Sequence, residues 1–196
     1  MSSHHFVKEG QEPALLILDV MRSDIVMPLL EWSPTVLVSS PALSNVLSWG
    51  IKIDAVICES RDPDVELSSQ GRVRTITRDP DESYLSAGLS FLILEGEKAV
   101  NVLANVPQGH FAEVSRFLGT LDVAFVNHEV KWVVATRCKF EKWLPARSLL
   151  YLETDDISHL ISIENARKTE HAVEIISTGV VKIQSNRPFW IGESLQ

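Results

Sequence analysis

The sequence predicts an α/β chain, a parallel sheet flanked by helices, followed by a small all-β, sandwich-like domain. Three observations carry that expectation. Short apolar runs rich in Val, Ile and Leu alternate with stretches of helical spacing as far as Asn127, the pattern of a sheet covered on both faces. Beyond Glu129 the apolar runs stay short and no helical stretch separates them, which is the pattern of antiparallel strands. The composition, 45% hydrophobic and 22% charged over 196 residues, suffices for a sizeable core. The change of pattern places an α/β domain over residues 1–127 and a β domain over residues 128–196.

Each element follows from its residues. Ala14 to Leu18 reads as a buried strand. Asp24 to Trp32 sets Ile25, Val26, Leu29, Leu30 and Trp32 on one helical face, with Pro28 near its first turn. Thr35 to Val38 is apolar and β-branched, a second buried strand. Ser39, Ser40 and Pro41 end it. Ala42 to Trp49 is spaced as a helix, with Ser40 as its N-cap and Gly50 as the glycine past its end. Ile53 to Ile57 is the next strand, and it runs into Cys58-Glu59-Ser60-Arg61-Asp62. This is one βαβ unit, with parallel strands and a right-handed crossover. Ligands of such sheets bind beyond the carboxyl ends of the strands. Ser39 to Pro41 and Cys58 to Asp64 are therefore the first places to look for chemistry.

Val73 to Ile76 is a further strand. The acidic turn Asp79-Pro80-Asp81-Glu82 leads into a helix from Ser83 to Glu95, with Leu85, Leu89, Leu92 and Ile93 at helical spacing. Ala99 to Ala104 is a strand, Pro107 to His110 a turn, Phe111 to Leu118 a helix and Val123 to Val126 a strand. The β-like runs that follow are Lys131 to Thr136, Ser148 to Leu152, Leu160 to Ile163, Ala172 to Ser177, Val180 to Gln184 and Phe189 to Ile191. Ser185-Asn186 reads as a hairpin turn.

The net charge of −8 argues against a general nucleic-acid binder, which needs a basic face for phosphate. No apolar run approaches the ~20 residues that span a bilayer. Cys58 and Cys138 are far apart and offer no metal-ligand spacing. They read as two reduced thiols of a cytoplasmic protein.

One stretch carries a resemblance. Trp32-Ser33-Pro34 is followed by a strand, a turn, a helix ending in Gly50-Ile51-Lys52-Ile53-Asp54, a strand and an acidic loop. That order resembles thiamine pyrophosphokinase. The opening SSHHFVKEGQEPALLI and the later Phe140-Glu141-Lys142-Trp143 are similar to the bacterial branch of that family. The resemblance implies transfer of a diphosphoryl group from ATP to thiamine, magnesium held by carboxylates, and a homodimer in which the second domain helps to hold thiamine.

The family's chemical positions map onto this chain with many replacements. Its Asp-Gly-Ala loop falls on Ser40, Pro41 and Ala42. Its Gly-Asp-x-Asp loop falls on Cys58, Glu59, Ser60 and Arg61. Its Asp-Gln-Asp-x-Thr-Asp loop falls on Asp79, Pro80, Asp81, Glu82, Ser83 and Tyr84, and its Asp-His pair on Phe111 and Ala112, or, in a slipped register, its histidine alone on His110. The resemblance thus leaves Glu59, Asp79 and Asp81 as catalytic carboxylates, with Glu59 and Asp79 as magnesium ligands. It sets Ser40, Arg61 and Ser83 towards the nucleotide. A metal-facing aspartate replaced by Arg61 adds a repelling charge. The expectation is a catalytically degenerate relative, retained as a binding or regulatory module for a thiamine- or nucleotide-like small molecule. The alternative is an active kinase with a rearranged magnesium site. A third reading puts an anion on Arg61, Arg72 and Arg78. Surface ion pairing is the competing role for Glu59, Arg61, Asp62, Asp79 and Asp81, and packing that for Trp132, Trp143 and Trp190.

Overall fold

The computed structural model describes residues 12–31, 33–59, 71–153, 160–169 and 172–195. Six strands, β1 (Ala14–Ile17), β2 (Val36–Ser39), β3 (Ala55–Cys58), β4 (Arg74–Thr77), β5 (Ala99–Leu103) and β6 (Asp122–Val126), run parallel in the order β4-β3-β2-β1-β5-β6. Every residue of β1, β2 and β3 is buried. Strands covered on both faces need continuous apolar runs, and these have them. At the edge, β4 carries Arg74, Thr75 and Thr77 to the solvent.

Successive strand residues serve opposite faces. On one face, Leu16, Leu37 and Ile57 pack with Leu85, Leu89 and Leu92 of helix α3 (Tyr84–Leu94), as defined after the short α1 (Ser23–Val26) and α2 (Leu43–Leu47). On the other, Leu15, Ile17, Val38 and Val56 pack with Val26 of α1 and with Leu43 and Val46 of α2. A fourth helix, α4 (Phe111–Val114), adds Phe111 and Val114 to the α3 face.

The helix from Ser83 forms within a residue of its expected ends. Ser83 is its N-cap, and its Oγ accepts the Ser86 N–H at 2.9 Å. The other helices are shorter than their spacing predicts. The one expected from Asp24 breaks into α1 and a 3-10 turn, Met27–Leu30. Pro28 there has no N–H to continue the ladder; Trp32 lies outside the described residues. The one expected from Ala42 opens as a 3-10 turn, Ser40–Ala42, around Pro41. Ser40 is not an N-cap: no side-chain cap bond forms there, and its hydroxyl lies 3.0 Å from the Tyr84 hydroxyl. Gly50 takes the positive φ of +66° that a glycine past a helix end adopts.

The chain continues through β7 (Val130–Ala135), β8 (Lys139–Leu144), β9 (Leu149–Glu153), β10 (Leu160–Glu164), β11 (Ala166–Lys168), β12 (Val173–Ile175), β13 (Gly179–Ser185) and β14 (Phe189–Ser194). The Asn127 Oδ1 accepts the N–H groups of Glu129, at 2.9 Å, and Val130, at 2.8 Å, and so shapes the turn into β7. β7 pairs antiparallel with β6, and the sheet runs on through β14, β9, β12 and β11 to eleven strands. The result is a large mixed sheet with few helices. β10, β13 and β8 form a second, antiparallel sheet. Both sheets contribute to a third core, with Leu150, Val173 and Ile191 from one and Leu144, Val181 and Ile183 from the other.

Two expectations change here. β8 is a strand, although Lys139, Glu141 and Lys142 dilute its apolar signal to Phe140, Trp143 and Leu144. Ser185-Asn186 is not a hairpin turn, because β13 and β14 belong to different sheets and this connection carries the chain between them. Trp132 and Trp190 are buried packing residues, whereas Trp143 is 61% exposed. Neither Cys58 nor Cys138 forms a disulfide.

An aromatic cluster fills the junction of the parallel and antiparallel halves. The Phe111 ring stacks on Trp190 with centroids 4.3 Å apart, and Phe125 and Trp132 close round it. Gly192 admits this packing. A Cβ there would lie 2.6 Å from Val130 Cγ1 and 3.0 Å from the Trp132 ring. Gly192→Ala is expected to destabilise the fold by ~1–3 kcal/mol through overpacking. A thermal melt checks this against Gly109→Ala, where a Cβ meets nothing within 4 Å. Equal melting temperatures for the two variants would refute the close approach.

Candidate functional site

The strand order locates the crevice. The chain moves outward from β1 through β2 and β3 to β4, then returns to place β5 on the other side of β1. Such a reversal opens a cleft at the carboxyl ends of the strands. Asp19 follows β1 there, and its Oδ2 accepts the Asn105 N–H, just past β5, at 2.8 Å. Ser39, fully buried, donates from Oγ to the Leu18 carbonyl at 2.6 Å. These bonds fix the ends of β1, β2 and β5 against one another.

Arg78 organises the ends of β2, β3 and β4. Its guanidinium donates to the Glu59 carboxylate, just beyond β3. It also donates to the carbonyls of Asp79, Pro80 and Glu82. Its Cζ lies 4.7 Å from the centre of the Tyr84 ring, and Tyr84 in turn meets Ser40 after β2. The hydrogen bond to Glu59, first among several contacts, raises the pKa of Arg78 above its ordinary value. Arg78 was one of three arginines expected to receive an anion. The structure shows its guanidinium engaged within the chain. Arg72 is exposed, and Arg61 lies outside the described residues.

A second cluster lines an open cleft of about 850 Å³ between the start of α3 and α4. Asp79, Asp81, Glu82 and Ser83 form one wall, and Glu113, Ser115 and Arg116 the other. Ser83 donates from Oγ to Glu113, Ser86 donates to Glu82 at 2.9 Å, and Arg116 donates to Ser86. The fold thus gathers Asp79, Asp81 and Ser83 into one cleft. Glu59 and Ser40 stand apart from that cleft, on either side of the Arg78–Tyr84 pair. Phe111, where the resemblance would place an aspartate, is 3% exposed and stacked on Trp190.

Among the described residues, the carboxylates that the resemblance assigns to magnesium are partly engaged elsewhere. A divalent ion needs oxygens free to face it, yet the Glu59 carboxylate faces a guanidinium. Among the described residues no three His, Cys, Asp or Glu side chains converge on a point. Sequence reasoning did not single out Asp19, Asn105, Glu113 or Arg116. Asp19 directly follows a strand, which is a usable signal, but its importance depends on a strand order that a linear pattern does not contain.

The sheet and crevice define an α/β protein of the kind that binds ligands beyond parallel strand ends. The fold is more particular than that class. It is similar to thiamine pyrophosphokinase from Bacillus subtilis, with a TM-score of 0.69 and 7% identity over 93% of this chain and 99% of that one. It is similar to thiamin pyrophosphokinase from Candida albicans, with a TM-score of 0.72 and 7% identity over 94% and 90%. It is also similar to the yeast enzyme, with a TM-score of 0.65 and 6% identity over 94% and 87%. No family model and no curated protein matches the sequence. The chain has the thiamine pyrophosphokinase fold.

Two substitutions test the architecture of the site. Ser83→Ala removes the α3 cap and the bond to Glu113, and is expected to cost ~1–2 kcal/mol in denaturant unfolding. Tyr84→Phe keeps the ring beneath Arg78 and removes the hydroxyl with its contacts to Ser40 and Arg78, at ~0.5–1.5 kcal/mol. A larger loss from Tyr84→Phe than from Ser83→Ala would reverse this assignment.

Proposed function

We propose that this chain is a thiamine pyrophosphokinase-like protein of the bacterial branch that has kept the fold and lost the diphosphoryl-transfer site. It serves as a binding or regulatory module for a thiamine- or nucleotide-like small molecule. The pairing of Glu59 with Arg78 is the observation that carries the reading. It neutralises the carboxylate that the resemblance assigns to magnesium, while Asp79 and Asp81 line the cleft shared with Arg116. Diphosphoryl transfer without metal forgoes several kcal/mol of charge stabilisation, and each ~1.4 kcal/mol costs tenfold in rate.

The same reading divides the chain into an α/β domain of residues 1–127 and a β domain of residues 128–196. The β domain contributes to a homodimer interface, and Trp143 with its cross-strand neighbour Val180 supplies exposed apolar surface for one. Among the described residues no helix is long and apolar enough to cross a membrane.

The test is an AMP-release assay with thiamine, ATP and magnesium, run beside calorimetry with thiamine, thiamine diphosphate, ATP and AMP. Binding of at least one of these ligands without thiamine-dependent turnover is the expected result. Turnover that disappears in Glu59→Ala would replace this reading with that of an active kinase using a rearranged magnesium site.

A further inference from the structure

Arg78 comes directly after β4, and acceptors meet both terminal nitrogens of its guanidinium, whereas its buried Nε has no hydrogen-bond partner among the described residues. Nη1 donates to the carbonyls of Asp79 at 3.2 Å, of Pro80 at 3.3 Å, and of Glu82. Nη2 donates to the Glu59 carboxylate, and the Tyr84 ring covers one face. The side chain is only 15% exposed, unusual for a residue type that ordinarily lies in water.

Three carbonyl oxygens and a carboxylate round one positive centre are the ligands that a hard cation takes from a protein. A turn does not direct its carbonyls inward to a single point without a charge to receive them, because unpaired carbonyl dipoles repel one another. We propose that the carbonyls of Asp79, Pro80 and Glu82 and the carboxylate of Glu59 form a cation site whose resident is the guanidinium of Arg78. The chain thus carries its own tethered cation at the ends of β3 and β4, in place of one that binds and leaves.

A guanidinium suits this site better than an ammonium. Its planar fork reaches acceptors on two different loops, and its flat face lies on Tyr84. The ligands come from the end of β3, the turn after β4 and the entry to α3, so occupancy fixes three elements together. A tethered cation has no concentration dependence, and divalent ions are excluded whatever their level. The inference goes beyond the proposed function: it concerns a cation, it needs no organic ligand, and it stands whether or not thiamine or a nucleotide binds.

The first experiment is chemical rescue of Arg78→Ala. Its melting temperature is measured with about 20 mM guanidinium chloride, far below denaturing concentrations, and with equal sodium chloride or urea. The variant is expected to melt several degrees below the wild type. Guanidinium should restore most of that loss, leave the wild type unmoved, and act where sodium chloride and urea do not. Guanidinium acting no better than sodium chloride on a folded variant would overturn the proposal.

Nitrogen-resolved NMR of the wild-type arginine side chains keeps the proposal testable if the variant does not fold. Arg78, assigned by comparison with Arg78→Lys, should show separate Nη resonances, because its bonds hinder rotation of the guanidinium. A single averaged resonance would overturn the proposal. So would a magnesium titration in which submillimolar metal shifts the Arg78 signals by displacing it from Glu59.

Discussion

A parallel sheet cannot stop at β6 without leaving a row of unpaired donors and acceptors beside a buried apolar strand. Everything after Asn127 follows from how this edge is closed. The Asn127 side chain holds the turn, β7 returns antiparallel along β6, and β14 arrives from the far end of the chain to pair with β7. Phe111, Phe125, Trp132 and Trp190 then pack where the halves meet. The same aromatic packing seats α4, and α4 forms one wall of the cleft. The cleft therefore depends on the antiparallel half although it opens above the parallel one.

The opposite edge is closed differently. β4 is short and polar, as an exposed edge strand should be. Arg74 anchors its amino end to Glu95 and Phe91, and Arg78 anchors its carboxyl end. Arg78 joins the end of β4 to the end of β3 and to the entry of α3. An exposed ion pair would contribute little, ~0–1 kcal/mol. This one adds three carbonyl acceptors, an aromatic face and a largely enclosed guanidinium, and hydrogen bonds to charged groups are worth ~1.5–3 kcal/mol. The strand ends that face a ligand in related folds here also carry structural duty.

Much of this was legible in the residues. β1, β2, β3, β5 and β6 are largely apolar runs, and the apolar repeat after Ser83 announced the start of α3, though not that Ser83 caps it. β8 was obscured because Lys142 takes the place, between Phe140 and Leu144, where strand alternation calls for an apolar residue. Two of the short helices were overestimated for one shared reason: spacing records which face is buried, and a 3-10 turn round Pro28 or Pro41 buries the same face as an α-helical turn. The site was legible one loop at a time. Asp79, Asp81 and Ser83 meet in space because they are neighbours in sequence. Glu59 and Arg78 meet only because β3 and β4 pair in parallel, and Asp19 and Asn105 only because β5 crosses to the far side of β1. Contacts of that kind are set by topology, which local pattern does not contain.

That distinction explains how a fold persists while its chemistry changes. The core is specified by residues such as Leu16, Ile57 and Leu89, which touch one another across elements and tolerate little change. Even Gly88 is constrained, since a Cβ there would lie 2.8 Å from Leu16. The strand-end loops carry no such constraint, so their charges can be exchanged at small cost to the core. Once an arginine settles among the carbonyls of the Asp79–Glu82 turn, the position is no longer neutral. A carboxylate site that lacks its metal is a cluster of like charges, and it destabilises the loops that form it. A tethered guanidinium removes that repulsion and adds hydrogen bonds. On the proposed reading, the guanidinium of Arg78 would supply the charge balance that a metal gives in a working site, and its bonds would hold the loops in its place.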